Sequence, residues 1–410
     1  MTINCIVGGN VAENNGSVFR CERMEVNQLQ IRKFECSGCK YSDYRMSARE
    51  IGETLLNECP RCGKSMEVTG AEPPGWLAKP LRLITKHFEV TDFVAKDNRI
   101  EVEVSARDPK RSFRTLLKVF RPRGYLPVMR ERMGELKLVV LRYPKVRPSN
   151  VVINILLFCA TILTTFAAGY FLIFGNIAKA ALFSCAIMLM LGTHEMGHKI
   201  AAWRNGVEST LPYFIPAPNM LGTLGAVINI KGPIPTKEAL VELGVAGPLS
   251  GFAMAIPLTI LGLMLSRPDP TGLALPMVPA IFAIMQVGIF GYIPSGMVLN
   301  PLAFAGWVVL LLTMFNLIPA GWFDGGHVAR GLMNRERHYT LTRTLGFTLF
   351  LTGIPFPEFP LWFWGFLIIL LFRGYHPGAL DDVSELSKRQ KSLAAMALVV
   401  FLLCLPVPVG

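Results

Sequence analysis

Charge is scarce in this chain. Only 17% of its 410 residues are Asp, Glu, Lys or Arg, 51% are apolar, and the mean hydropathy is +0.41, which excludes an ordinary soluble protein of this length. No secretory leader is expected either. The stretch "MTINCIVGGNVAENNGSVF" has no basic start and is broken by Gly and Asn before an apolar core of useful length, so the N-terminus is expected to stay in the cytoplasm. Nor is there a secreted disulfide framework: of nine cysteines, Cys159, Cys185 and Cys404 lie in apolar segments, where cysteine behaves as a small hydrophobe. A membrane protein is what these absences leave. The charge it does have is uneven, with most Lys and Arg in the first 150 residues and long uncharged runs across 151–330.

Four cysteines are not scattered. Cys36 and Cys39 ("CSGC") and Cys59 and Cys62 ("CPRCGK") form two C-x2-C pairs nineteen residues apart, the spacing at which four thiolates close a tetrahedron around a structural zinc. Residues 34–66 are therefore expected to be a zinc ribbon, preceded by a poorly defined segment, 1–33. From 80 to 147 the pattern changes. "HFEVTDFVAKDNRIEVEVSARD" alternates, "PKRSFRTLLKVFRP" has helical spacing of apolar residues, and two strand-like pieces follow near "YLPVMRER" and "ELKLVVLRYP". This order predicts a small α+β domain. Its second half is basic, with twelve Lys or Arg against three acids over 108–150. Coming directly before the first long apolar run, that charge places the domain on the cytoplasmic side by the positive-inside rule. Nucleic acid is the rival partner for such a surface; juxtamembrane charge is the commoner cause and suffices.

Eight apolar runs follow, at about 150–174, 178–203, 240–265, 273–293, 299–320, 340–354, 359–372 and 392–408. Spanning takes roughly 20 apolar residues, so the first three and the fifth qualify. The expected architecture is a polytopic α-helical membrane protein of about six to eight spans, with a core over 150–335 and C-terminal membrane segments over 336–410.

The second run ends in "LGTHEMGHK", which carries ionisable groups where lipid would punish them, by about 2.5–3.5 kcal/mol each on insertion scales. Positions i and i+4 of a helix share a face, so His194 and His198 can hold one metal while Glu195 takes a proton from a water without being a ligand. A third ligand must come from elsewhere. The useful candidate is "FNLIPAGWFDGGH" at 315–327, where an apolar helix breaks at Pro319 and Gly321 and then shows Asp324. A broken helix there implies a protein-walled polar cavity, and Gly325 and Gly326 are expected to let the backbone approach another helix.

"HEMGH" together with "NLIPAGWFDGGH" resembles the site-2 protease family of intramembrane zinc metalloproteases. In its pattern an Asn, a Pro and an Asp-Gly form the second signature, and the Asp is the third ligand. Asn316 precedes Asp324 by eight residues, as that pattern requires, and "GTLGAVINIKG" (222–232) and "GVAGPLSGF" (244–252) also look like family segments. The N-terminal part looks like the branch with a soluble α+β domain, which includes archaeal and chloroplast members. The chain departs from the pattern at Phe323, often Leu or Met, and at His327, often Arg. His327 is either a fourth imidazole near the metal or a helix-surface donor, the second being favoured because three ligands and a water complete the site. The resemblance implies a catalytic zinc on His194, His198 and Asp324, Glu195 as general base, and Asn316 orienting substrate or stabilising the oxyanion.

Two topological expectations follow. The three ligands must meet near the cytoplasmic face, which requires 273–293 to be interfacial or re-entrant. The β-branched alternation near Gly222–Lys231 offers either an edge strand for an unwound substrate or a re-entrant hairpin that plugs the cavity. Membrane-protein substrate helices and the bilayer are the expected partners, with a possible protein partner for the zinc ribbon. The alternative function is a non-proteolytic, membrane-anchored regulator; a metal transporter is disfavoured, since no inverted repeat is visible.

Overall fold

The protein is described from a computed structural model, over residues 30–408 apart from 48, 57, 71–74, 97–98, 133, 144–148, 274, 276 and 356–360. The expected N-terminal segment 1–33 lies almost wholly outside the described residues. The chain divides into two compact units, Met1–Lys145 and Val146–Gly410.

The first unit is built on strands β1 (Gln30–Cys36), β2 (Ser42–Ser47), β3 (Thr54–Leu55) and β4 (Met66–Gly70), helix α1 (Gly75–Ile84), strands β5 (Glu89–Lys96) and β6 (Arg99–Ser105), helix α2 (Pro109–Phe120), and strands β7 (Tyr125–Arg132) and β8 (Glu135–Arg142). All eight strands form one antiparallel sheet in the order β3-β4-β1-β2-β5-β6-β8-β7. The sequence separates a ribbon (34–66) from an α+β segment (80–147). The structure joins them through β2 and β5, with Tyr44 opposite Ala95 and Arg45 opposite Val94. Pairing leaves neither β2 nor β5 as a bare edge. The helices cover the sheet with period-3.6 apolar faces: Leu77, Pro80, Leu81 and Ile84 on α1, and Phe113, Leu116, Leu117 and Phe120 on α2. Asp108 caps α2 by accepting from the Arg111 amide.

The second unit begins with α3 (Val151–Ala168), extended by a wide turn to Phe174, and α4 (Ile177–Arg204). Strands β9 (Tyr213–Pro216) and β10 (Thr223–Val227) form a hairpin before α5 (Lys237–Met264), whose start is set by Thr236 accepting from the Ala239 amide. Then come β11 (Arg267–Leu273), β12 (Met277–Pro279), α6 (Ala280–Phe290), β13 (Met297–Val298), α7 (Pro301–Asn316), α8 (Asp324–Leu332), α9 (Arg335–Gly353), α10 (Leu361–Leu371), α11 (Lys388–Cys404) and β14 (Pro406–Pro408). Among the described residues three helices are long and apolar enough to cross a membrane: Val151–Phe174, Ile177–Arg204 and Lys237–Met264.

Two apolar runs are shorter as helices than their hydropathy suggests. The run 299–320 is helical only to Asn316, because Pro319 has no amide to donate and Gly321 takes a φ of 54°. The run 273–293 contains the 11-residue α6, a rise of about 16 Å against a hydrocarbon core of about 30 Å. The unit's core lies where α4, α5 and α7 meet, around Ile187, Val245, Ala255 and Leu310. There Gly262 on α5 and Gly306 on α7 admit the opposing backbone and Thr259.

Candidate metal centres

In the second unit, α4 presents His194 and His198 one turn apart, with ring centroids 4.9 Å from each other. Their Nε2 atoms are 3.1 Å apart. Asp324, the first residue of α8, brings Oδ2 to 3.3 Å from His194 Nε2 and 3.2 Å from His198 Nε2. The three donor atoms thus form a nearly equilateral triangle. Donors about 2.0–2.1 Å from a tetrahedral zinc lie about 3.3–3.4 Å from one another, so this triangle fits one zinc with its fourth position open. Glu195 stands beside it, with Oε1 4.0 Å from His194 Nε2. Its carboxylate faces the backbone of Ile228, just past β10. His194, Glu195 and His198 are all buried.

The surrounding packing explains how the triangle is held. His198 Nδ1 donates to the Leu243 carbonyl at 2.8 Å, which turns its Nε2 lone pair toward the centre. Along α5 stand Gly244, Gly247 and Gly251, three and four residues apart, the first facing α8 and the other two facing α4. A Cβ on Gly247 would sit 2.0 Å from His198 Nε2, and one on Gly251 would sit 3.1 Å from His194 Cβ. Gly244 admits the Asp324 carbonyl, which a Cβ would approach to 2.5 Å. The role of these glycines is absent from the sequence reading, although "GVAGPLSG" displays their spacing. Gly325 and Gly326 do pack closely, but against the turn that precedes their own helix: Cβ atoms there would lie 2.0 Å from the Leu317 carbonyl oxygen and 2.5 Å from that of Ala320. Neither is a contact with another helix.

His327 stands apart from the triangle. Its Nδ1 donates to the Phe323 carbonyl at 3.0 Å, and its ring meets His376 edge-on at 4.8 Å, with His338 following at 5.5 Å from His376. It is not among the residues whose donor atoms converge with those of His194, His198 and Asp324. Asn316 ends α7, and among the described residues no hydrogen bond joins it to the triangle or to Glu195.

In the first unit Cys36, Cys39, Cys59 and Cys62 bring their sulfurs within 4.8 Å of one another. Cys36 and Cys62 are 3.5 Å apart and Cys39 and Cys59 3.6 Å, near the roughly 3.8 Å edge of a zinc tetrathiolate with Zn–S bonds of about 2.3 Å. Two turns of the same kind hold the pairs: Lys40 donates back to the Cys36 carbonyl and Gly63 to that of Cys59, and both take left-handed φ values, 55° and 70°. The Cys39 and Gly38 amides hold the Cys36 thiol down to about 6. Cys62 is pushed up to about 12: the Lys64 amide pulls it down, and hydrogen bonding to Cys39 and burial outweigh that.

With both centres described, the comparison with known proteins is direct. Residues 182–353, from α4 through α9, match peptidase family M50. The chain carries an M50 peptidase domain. That span contains His194, Glu195, His198, Asn316 and Asp324, the residues on which the site-2 protease resemblance rests. Relatives include "Probable zinc metalloprotease EGY2, chloroplastic" of Arabidopsis thaliana, 31% identical over 54% of this chain and 40% of that protein. "Probable zinc metalloprotease EGY1, chloroplastic" of the same plant is 30% identical over 52% of this chain and 40% of its own length. Its namesake from Oryza sativa subsp. japonica is 31% identical over 52% and 38%. The matches thus span about two fifths of the relatives' lengths. No solved structure matches the chain.

Proposed function

We propose that this protein is an intramembrane zinc endopeptidase that cleaves transmembrane segments of membrane-anchored substrates. One observation carries the reading: a three-donor triangle closed to 3.3 Å or less, with an unshared carboxylate 4.0 Å from one of its corners. A metal held only for structure uses four protein ligands; an open position beside a base suits hydrolysis. His194, His198 and Asp324 would hold the zinc, which when bound would supply Lewis acidity toward the scissile carbonyl and the attacking water. Glu195 takes a proton from the attacking water and returns one to the leaving amine. The Leu243 carbonyl keeps His198 in the tautomer that leaves Nε2 free. Asn316 is assigned to orienting the substrate or its oxyanion, a role carried over from the family pattern.

The substrate is proposed to add as an extended strand to β10, near Gly222–Lys231. In the described residues β10 is paired only with β9, so its other edge is open. Leu224 and Val227 on it are exposed apolar residues, and the chain just beyond reaches Glu195 at Ile228. Thr164 on α3 donates to the Gly222 carbonyl and Asn154 to those of Leu211 and Pro212, which mounts the hairpin on the first span. Between α3, α4 and β9 runs an apolar groove of about 700 Å³, lined by Phe158, Ile162, Met188, Met196 and Phe214. It offers the helical part of a substrate a place beside the site.

We read the N-terminal unit as cytoplasmic. In this topology α3 leads out, α4 returns with the histidines toward its inner end, α5 leads out, α6 does not cross and α7 returns to deliver Asp324. With α9, α10 and α11, seven spans result, within the expected six to eight. The four-cysteine centre is read as a structural zinc site that docks a protein partner; nucleic acid is not assigned to it. The test is Glu195→Gln in reconstituted vesicles with a single-span substrate. Cleavage should fall by about 10²–10⁴-fold while metal analysis finds the zinc retained. A variant that still cleaves at the parental rate would remove Glu195 from the mechanism.

A further inference from the structure

Charge in the first unit is sorted by layer. The strands β1 to β8 carry nine acids and nine bases, a net charge of zero. The helix layer carries bases alone: Lys79 and Arg82 on α1, and Lys110, Arg111, Arg114 and Lys118 on α2, with Lys86, Arg121 and Arg123 just beyond the helix ends. No Asp or Glu occurs in 75–88 or 109–124; the nearest are the capping Asp108 and Glu89, at the margins. The apolar faces of both helices are buried and α1 packs against α2, so the cations are left on the outward side. Lys79, Arg82, Lys86, Arg111, Lys118 and Arg123 are exposed there.

We infer that this helix layer is a docking surface for anionic lipid headgroups. The inference rests on the reading of α3 as a span. Eight residues separate Arg142 at the end of β8 from Val151 at the start of α3, an extended reach of about 30 Å. Headgroups around α3 are therefore presented to the unit at high effective concentration. Each Lys or Arg near an anionic surface is worth about fivefold in affinity, so even part of this layer suffices for stable contact. The composition of the layer argues against nucleic acid. Residues 75–88 and 109–124 contain no Asn or Gln to read base edges. Their aromatic residues also offer no stacking platform: Phe88, Phe113 and Phe120 are buried, and Trp76 packs edge-on against Tyr44.

The full chain is reconstituted in nanodiscs of phosphatidylcholine, or of phosphatidylcholine with phosphatidylglycerol, and amide exchange in 75–88 and 109–124 is followed by mass spectrometry. Slower exchange is expected in the anionic discs, by about tenfold or more, and should vanish near 1 M salt, where the Debye length is about 3 Å. The triple variant Arg82→Glu, Arg111→Glu, Lys118→Glu should lose the protection and the corresponding lysine and arginine swaps should keep it. Unchanged exchange in β5 and β6 shows that the variant is folded. Equal exchange in both discs, or protection that requires added single-stranded RNA, would overturn the inference. Resistance of the chain to carbonate extraction is measured alongside, so that failure of the spanning assignment is seen separately.

Discussion

His198 donates from Nδ1 to the Leu243 carbonyl at 2.8 Å, and the ring's other nitrogen lies 3.2 Å from Asp324 Oδ2. One imidazole thus ties three helices together: α4 supplies it, α5 orients it, and α8 meets its free lone pair. The backbone carbonyl can only accept, so the tautomer is decided by α5 before any metal arrives.

Gly247→Ala should therefore disable the centre. In a helix this change ordinarily stabilises by roughly 0.5–1 kcal/mol, but here the new methyl would lie 2.0 Å from His198 Nε2. Zinc affinity is expected to fall by at least about 10–100-fold, the usual scale for disturbing the support of a ligand, and cleavage with it. Metal analysis after dialysis reads this; full zinc occupancy in a variant with a raised melting temperature would contradict it.

Arg330 is 1% exposed, donates to Asp382 and to the Met333 carbonyl, and packs on Gly378. It clamps α8, which carries Asp324, to the segment between α10 and α11. Removing one member of such a pair leaves a buried charge and costs about 3–5 kcal/mol. Arg330→Met should lower the thermal midpoint in detergent, and adding Asp382→Leu should recover much of the loss. Equal midpoints for the single and double variants would mean that the ion pair carries no such weight.

The four-cysteine centre should lose metal on acidification. Cys36 is held down to about 6 and Cys62 pushed up to about 12. Above pH 6 Cys36 already supplies a thiolate, whereas Cys62 must give up a proton to bind. Each displaced proton weakens binding about tenfold per unit of falling pH, and below pH 6 Cys36 adds its own. The stabilisation that Cys36 derives from its lowered pKa is present above its usual value of 9.0 and is lost as the pH falls through about 6. Cobalt titration read at the thiolate charge-transfer band, which the His and Asp ligands cannot produce, would show an affinity flat from pH 8 to pH 6 if this is wrong.

Lys40 holds the left-handed position that Gly63 holds in the second knuckle, with φ of 55° and 70°. A side chain there costs about 1–2 kcal/mol, partly offset by the flexibility glycine adds to the unfolded chain. Lys40→Gly should therefore leave metal content unchanged and stabilise the N-terminal unit by up to about 1 kcal/mol. A lower denaturant midpoint for that unit would reject the equivalence of the two knuckles.

How much was legible depended on sequence distance. His194 and His198 share a face because they are one turn apart on a helix, and each C-x2-C pair closes within a single turn. These relations need no tertiary knowledge. The order strand, strand, helix, strand, strand over 80–147 was readable for the same reason, since alternation and 3.6-residue spacing are local. By contrast, the single sheet formed through Tyr44 and Ala95 joins residues 51 positions apart. Nothing in either strand's own pattern names its partner. The helical end at Asn316 rather than near residue 320 was marked by Pro319, but hydropathy averages over such a break.

From its residues alone, then, this protein reads as a membrane chain with a two-knuckle cysteine site and a pair of histidines flanking a glutamate at the end of an apolar run, because composition and short-range spacing carry that information directly. Only the tertiary structure decided how the Asp324 carboxylate, 126 residues beyond His198, closes the triangle. It does so through contacts made across helices, at the bare glycines Gly244, Gly247 and Gly251 and at the Leu243 carbonyl, and through the turn at Leu317 against which Gly325 packs. Such contacts depend on the distance between backbones. That distance is set by what the packed helices leave out, which no single segment of sequence records.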